Sequence, residues 1–204
     1  MVAFPFFALY YSEHCVNITN NGFEIQTEQV YFGGVEVMNN NFQELVEKHK
    51  PKIIEEREFI VVGISCNTTM MDKDIKVPNT LEEFHSSKIG EVKNRIDETT
   101  SYGIFVDPPN FDPKKDEFTW IAGVKVTNDE NIPKEMTSLT IPAHQYAVVA
   151  FDPKNDNINP YQFLYEWFTN EGYEAADLIG FEVYNPYKGV ESDYTLYLPV
   201  KKSE

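Results

Sequence analysis

Few residues of this sequence are suited to metal or redox chemistry. There are only two cysteines, Cys15 and Cys66, and they form no metal-binding or redox motif. The four histidines are scattered along the chain, and no two of them have the spacing of metal ligands. The sequence therefore predicts no metal site and no cofactor, and the cysteines are typical of free thiols in a reducing compartment.

Positive charge is also scarce. Asp and Glu number 33 against 17 Lys and Arg, so the formal net charge is −16. No basic cluster interrupts this acidity, and an acidic protein repels the phosphate backbone of nucleic acids. The composition argues against direct binding to nucleic acid and favours cationic partners.

No apolar run is long enough to span a membrane. The most apolar stretch, MVAFPFFALYY (residues 1–11), is too short, lacks a preceding basic region and contains Pro5. We expect this stretch to be a buried strand or an anchoring tail of a cytoplasmic protein that does not enter a membrane. The chain has 204 residues, 42% of them hydrophobic, which is enough for one sizeable domain or for one domain plus an extension.

An internal repeat is the most informative feature of the sequence. Three segments recur in the same order: FIVVGIS (59–65) as YAVVAFD (146–152), SYGIFVD (101–107) as GFEVYNP (180–186), and EFTWIAGVK (117–125) as DYTLYLPVK (193–201). Each copy is predicted to contain a strand, a helical stretch and two further strands.

The two helical stretches carry different end signals. In the first copy the predicted helix covers about residues 79–98, with Asn79 or Thr80 as its N-cap. In the second copy it covers about residues 160–171, and Asn159 is the expected cap.

Two such units side by side predict an α+β fold with pseudo-two-fold symmetry. We expect a mainly antiparallel sheet with helices on one face and a ligand groove on the other. Because side chains alternate along a strand, Phe181 and Val183 are expected to face the helices, while Glu182 and Tyr184 face the groove. The position equivalent to Glu182 in the first copy is Gly103, so the acid would lie opposite an empty position with room for a ligand.

The chain resembles the gyrase-inhibitory-protein-like small-molecule-binding domains. These also serve as effector-binding domains of bacterial multidrug-sensing transcription activators of the AraC and MerR types. The matching pieces are IPAHQYAV, a Trp followed by GYE, FEVY and a closing YLPVK, with FIVVGIS, YGIF and WIAGVKV in the first half. The resemblance covers about residues 55–202 and implies the duplicated fold described above.

The resemblance also implies a ligand and a site. Such domains bind hydrophobic, often cationic, aromatic compounds, and by this match Glu182 lies at the floor of the groove and faces the positive charge. Burial under aromatic rings should raise the pKa of this carboxyl, so ligand affinity is expected to fall at acid pH. The aromatic side chains expected around the ligand are Tyr184, Phe105, Trp120, Tyr146 and Tyr197.

The N-terminal region departs from the regulators of this family. Residues 1–54 show no helix-turn-helix pattern, so we expect an N-terminal extension of unknown role, followed by an effector-binding-type domain in residues 55–204. FEIQTEQVYFGGVEVM (23–38) is strand-like, and a short helix is expected to begin near Asn40 or Asn41. The extension could add a strand, cover the groove or form a dimer contact.

Three functions are consistent with these features. The first is a stand-alone sensor or sequestering protein for a lipophilic, cationic aromatic molecule, with a protein partner or a homodimer left open. The second is a hydrolase of reactive small molecules, with Glu182 as general base and Tyr184 or Tyr146 as its proton partner. The sequence shows no Ser-His-acid order and no phosphate loop, so binding is favoured over catalysis. The third is a structural role in which residues 1–11 plug the groove.

Overall fold

The structure is a computed structural model that describes residues 34–203. The predictions for residues 1–11 and for the strand-like residues 23–33 lie outside the described residues. Three α-helices and nine strands occur within the described chain. In chain order they are α1 (Gly34–His49), β1 (Lys52–Glu56), β2 (Phe59–Thr68), α2 (Lys73–Glu83), β3 (Ser101–Val106), β4 (Phe118–Val126), β5 (Thr137–Ile141), β6 (His144–Phe151), α3 (Pro160–Asn170), β7 (Tyr173–Ala175), β8 (Gly180–Tyr184) and β9 (Tyr194–Lys202).

The sheet is symmetric about its two central strands. Its strand order is β1-β6-β9-β8-β3-β4-β2-β5, all neighbours are antiparallel, and the short β7 pairs with β9. Going outward from the β8–β3 pair, β9 corresponds to β4 and β6 to β2, as the sequence repeat requires. The predicted α+β class and the duplicated unit are confirmed.

The strand that precedes each copy in the sequence pairs with the other copy. Strand β1 precedes the first copy but pairs with β6 of the second, and β5 precedes the second copy but pairs with β2 of the first. The predicted boundary between residues 54 and 55 therefore falls within a strand of the sheet. The two copies form one continuous sheet and exchange edge strands, so they are not separable modules.

Helices α2 and α3 lie on the same face of the sheet. Val62 of β2 and Val124 of β4 pack in one cluster with Leu81 of α2. Val149 of β6 and Leu196 of β9 pack in another cluster with residues of α3. The cross-strand pairs connect both clusters along one face, so the prediction of helices on one face is confirmed.

The opposite face is a closed aromatic core and not a groove. The ring of Phe181 lies 5.6 Å from that of Phe59, 5.2 Å from that of Tyr146 and 4.6 Å from that of Tyr197, between centroids. Since two strands separate β2 from β8 in the sheet, the contact of Phe59 with Phe181 requires the sheet to curl over this face. Within the described residues, side chains of the protein itself fill the space predicted for a ligand groove.

Helix α3 has the predicted ends, whereas α2 does not. The Asn159 side chain accepts hydrogen bonds from the N–H groups of Tyr161 and Gln162, at 3.0 and 3.1 Å. Helix α2 begins at Lys73 instead of Asn79 and ends at Glu83, followed by a π-helical turn at 84–88 and a 3-10 turn at 89–91. Its N-cap residue, Asp72, is of a type that favours helix starts, but its side chain makes no capping hydrogen bond.

Helix α1 is longer than predicted. It begins at Gly34, not near Asn40, so the strand-like residues 34–38 are helical. The alternating VEV pattern does not prevent this, because a helix that is fixed by packing at one end propagates at low cost. Phe42 supplies such packing, with its ring 5.7 Å from that of Phe163 in α3. No helix of the described residues is both long enough and apolar enough to cross a membrane.

Candidate functional site

Glu182 lies at the centre of the helix-bearing face. A row of directly paired residues runs across six strands of this face: Val149, Leu196, Glu182, Gly103, Ala122 and Ile64. The pseudo-two-fold axis passes between Glu182 and Gly103, as the repeat predicts. Glu182 is only 6% exposed, which is unusual for a carboxylate.

The predicted orientation of strand β8 is reversed. Glu182 and Tyr184 face the helices, while Phe181 and Val183 face the aromatic core on the other side. Alternation fixes which residues share a face, but it does not tell which face receives the helices. Phe181 and Val183 were expected to pack against the helices. Instead they pack in the aromatic core on the concave face of the curled sheet.

Two phenol groups hold the Glu182 carboxylate. The hydroxyl of Tyr161 donates to Oε1 at 2.5 Å, and the hydroxyl of Tyr184 donates to Oε2. Tyr161 comes from the first turn of α3, where the Asn159 cap fixes the backbone. Sequence reasoning missed Tyr161, and the only signal for it is that α3 carries aromatic residues on more than one side.

The electrostatics of this group are dominated by burial. Burial raises the pKa of Glu182, although the hydrogen bonds from Tyr161 and Tyr184 and the charge of Lys73 act in the opposite direction. Burial, and then the neighbouring carboxylate, raise the pKa values of Tyr161 and Tyr184 well above their ordinary range. Both phenols are therefore neutral donors at physiological pH. No residue of the described chain forms an ion pair with Glu182 within 4 Å.

Aromatic rings fill the space beside the carboxylate. A Cβ atom added at Gly103 would lie 2.4 Å from Cζ2 of Trp120 and 3.4 Å from Oε2 of Glu182. The ring of Trp120 stacks on that of Phe105, at 6.3 Å and 18°, and Phe105 lies 5.9 Å from Tyr161. The glycine position that was expected to be empty is thus occupied by an indole, and only glycine fits beneath it.

The structure brings four of the six predicted site residues together, namely Glu182, Tyr184, Phe105 and Trp120. Tyr146 and Tyr197 lie on the opposite face, with their rings 6.2 Å apart in the aromatic core. The Tyr146 hydroxyl donates to the carbonyl of Pro142 at 3.4 Å and does not contact Glu182. These two residues alternate with side chains that face the helices, so strand geometry separates them from the carboxylate.

Comparison with known families assigns the chain to one of them. The family profile of Cass2, described as an integron-associated effector binding protein, matches residues 52–200. The chain belongs to the Cass2 family. The match spans the sheet from β1 into β9 and includes Glu182 and the described residues that contact it. It confirms the resemblance to effector-binding domains that was recognised in the sequence.

Several solved structures have the same fold as this Cass2-family chain. An integron cassette protein from the mobile metagenome of Vibrio cholerae is 18% identical, with a TM-score of 0.52 over 74% of this chain and 95% of that one. SAV2435 bound to tetraphenylphosphonium is 13% identical, with a TM-score of 0.53 over 74% and 93% of the two chains. The EcmrR C-terminal domain is 18% identical, with a TM-score of 0.52 over 76% and 98%. No curated protein sequence matches the chain significantly.

Proposed function

We propose that this Cass2-family protein binds a lipophilic, cationic aromatic molecule between its sheet and its helices, with Glu182 as the counter-charge. One observation carries the proposal: Glu182 is buried, and its hydrogen-bond partners are two neutral phenols. A buried carboxylate without a direct counter-ion is costly, and a ligand cation would remove that cost.

The surroundings of the carboxylate suit such a ligand. Phe105, Trp120, Tyr161 and Tyr184 present aromatic rings that can interact with a cation and with apolar ligand groups. The net charge of −16 attracts cations to the protein as a whole. The likeness to the fold of SAV2435, whose structure holds tetraphenylphosphonium, supports the same ligand class.

Ligand entry requires movement of at least one ring. In the described structure the Trp120 indole fills the space over Gly103, and Tyr161 connects α3 to the carboxylate. A bound cation would replace one of these groups next to Glu182. If the protein acts as a sensor, the resulting movement of a strand or helix on this face, such as α3, would be the conformational change that a partner detects.

Sensing and sequestration place different demands on the protein once the ligand is bound. A sequestering protein needs only affinity and abundance, whereas a sensor must change its affinity for a partner when the ligand binds. The acidic charge argues against direct contact with nucleic acid, so a sensor would act through a protein partner or through a second copy of the chain.

The hydrolase hypothesis receives less support from the geometry. Tyr184 does contact Glu182, as that hypothesis requires, but Tyr146 lies on the other face. Both carboxylate oxygens already accept a phenolic hydrogen bond, so a water molecule must displace a tyrosine before Glu182 can activate it. Binding is the function that the site supports best.

The proposal is tested with two ions of the same shape and opposite charge. Tetraphenylphosphonium should raise the melting temperature of the protein, since a ligand of the folded state stabilises it by about 2.7 kcal/mol at a hundredfold excess over Kd. Tetraphenylborate should not. Glu182→Gln should abolish the effect of the cation, whereas Glu166→Gln, which makes the same charge change on the exposed side of α3, should retain it. Equal stabilisation of wild type and Glu182→Gln, or equal effects of both ions, would contradict the proposal.

A further inference from the structure

Buried polar groups without hydrogen-bond partners are rare, and two of them lie on the face that carries Glu182. Among the described residues, Nε1 of Trp120 and Oγ of Ser101 are buried and have no partner. Nearly all buried polar groups in proteins are paired, so an unpaired one calls for an explanation. Neither group takes part in holding the carboxylate, which accepts its hydrogen bonds from Tyr161 and Tyr184.

The indole of Trp120 lies close to the carboxylate. The side chain is 4% exposed, and its Cζ2 atom lies 2.4 Å from the position of a Cβ atom at Gly103. Oε2 of Glu182 lies 3.4 Å from the same position. Cζ2 and Cη2 are the indole atoms next to this position, and Nε1 of the same ring is the unpaired donor. The ring that carries this donor and the ligand counter-charge therefore border the same space.

Ser101 lies on the same face, next to the second phenol. It is 1% exposed and pairs directly with Tyr184 across the central strands. It is two residues from Gly103 in β3, so its side chain points to the helix-bearing face. The carboxylate thus has on one side an indole with an unpaired N–H and on the other a hydroxyl, which can donate or accept.

We propose that Trp120 and Ser101 determine ligand specificity by binding a hydrogen-bond acceptor on the ligand. The inference rests on the proposed function, because it adds a second point of recognition to the cation site at Glu182. The ligand class is then an aromatic cation that also carries a carbonyl-type oxygen, and not a purely hydrocarbon cation. An indole N–H can only donate, so its partner must be an acceptor. A site that is built to form such a bond rejects analogues that leave its polar groups unpaired.

The test compares two cations that differ in one oxygen. (4-Acetylphenyl)trimethylammonium carries a carbonyl, and (4-ethylphenyl)trimethylammonium carries a methylene group in its place. Calorimetry on the full chain should show the acetyl compound binding about three- to tenfold more tightly, as one net hydrogen bond gives. In Trp120→Phe this preference should disappear, and in Ser101→Ala it should decrease. Trp167→Phe, which makes the same change in α3 away from the carboxylate, should keep the preference.

A spectroscopic readout makes the test independent of the stability of the variants. The chain has two tryptophans, so its nitrogen–proton spectrum contains two indole signals, which the Phe variants assign. The Trp120 signal should move downfield with the acetyl compound and not with the ethyl compound. Equal affinity for both compounds in the wild type, or a preference that survives in Trp120→Phe, would overturn the inference.

Tetraphenylphosphonium separates this outcome from failure of the proposed function, because it carries charge and aromatic rings but no acceptor. If it binds in a Glu182-dependent manner while the acetyl preference is absent, only the present inference fails. If neither it nor the two ammonium compounds bind the wild type, both proposals are overturned.

Discussion

At the scale of single residues, the site arises from one difference between two otherwise equivalent positions. Glu182 and Gly103 face each other at the symmetry axis, and Trp120 covers the glycine. A side chain at Gly103 would expel the indole, and a second carboxylate there would repel the first. Because one position holds an acid and the other a glycine, one carboxylate, one indole and two phenols fit together at the axis. Two identical acidic residues at these positions would leave no room for the indole.

The raised pKa of Glu182 leads to a pH-dependent stability. The folded state holds the proton more tightly than the unfolded chain, so this group favours folding below the ordinary glutamate pKa of about 4.3. That contribution is lost as the pH rises from there through the folded pKa. Each unit by which the pKa is raised corresponds to about 1.4 kcal/mol.

We therefore expect Glu182→Gln to remove one component of the pH dependence. Denaturant unfolding from about pH 4, just below the ordinary glutamate pKa of about 4.3, to about pH 8 should show the wild type losing stability relative to the variant with increasing pH. Affinity for tetraphenylphosphonium should increase over the same interval, as Glu182 ionises. Glu166→Gln is the control, and its curve should run parallel to that of the wild type. A difference between wild type and Glu182→Gln that does not vary with pH would show that Glu182 has an ordinary pKa.

Site residues could be predicted where a local sequence pattern or a family motif marks them, but not where their contacts depend on how distant elements pack. Alternation and the repeat group Glu182 with Tyr184, and the family motif adds Phe105 and Trp120. Tyr161 could not be predicted, because its contact depends on where α3 crosses the sheet. The face occupied by the helices was assigned wrongly for the same reason, since that choice depends on the curl of the whole sheet.

At the scale of elements, two turns have the same hydrogen-bond geometry and differ in sequence at one position only, but helix α1 contacts just one of them. In FDPKKD (111–116) the N–H of Asp112 donates to Asp116 at 2.8 Å, and in FDPKND (151–156) that of Asp152 donates to Asp156 at 2.9 Å. Only the second turn receives the end of α1: Nζ of Lys48 lies 2.6 Å from Oδ1 of Asp156. Among the described residues, Asp116 forms no such ion pair.

Comparing equivalent substitutions in the two turns measures how much the contact with α1 contributes to the free energy of unfolding. Asp116→Ala should cost about 1 kcal/mol, the net value of one turn hydrogen bond. Asp156→Ala should cost about 1.5 to 2 kcal/mol, since it also removes the charge-assisted bond to Lys48, whose side chain is 56% exposed. Hydrogen exchange should show faster exchange in residues 34–49 for Asp156→Ala only. Equal costs for the two variants would mean that the ion pair does not hold α1.

Helices α2 and α3 also differ in how clearly the local sequence marks their first residues. Helix α3 was predicted to within a residue, because Asn159 and Pro160 mark its start chemically. Helix α2 begins after Asp72, which makes no capping bond, and it runs through Pro78, so local signals misplaced its start by six residues. Its position is set by the packing of Leu81 and Phe84 against the sheet.

At the scale of the whole molecule, the exchange of β1 and β5 makes the two copies interdependent. The repeat predicts the symmetry of the sheet, but it does not predict that the leading strands cross over. Local sequence cannot encode this choice, because either edge of the sheet offers the same backbone groups to a strand. The site at the axis therefore exists only when both copies are assembled, since Glu182 and Trp120 come from different halves.

A split chain should reveal this interdependence. Cutting between Asn131 and Ile132, in the loop between β4 and β5, gives two fragments that each lack one edge strand. We expect each fragment alone to show no cooperative unfolding transition by circular dichroism, because each leaves a central strand unpaired and half of the aromatic core exposed. Mixing the fragments should restore a single transition.

A shortened first fragment provides the control for strand exchange. Without residues 1–56 it lacks β1, so it should fail to complement the second fragment, whose strand β6 would remain unpaired at one edge. A first fragment that lacks only residues 1–33 keeps α1 and β1 and should complement fully. Cooperative unfolding of either fragment on its own would show that the halves are independent domains, and the exchange of β1 and β5 would then be dispensable for folding.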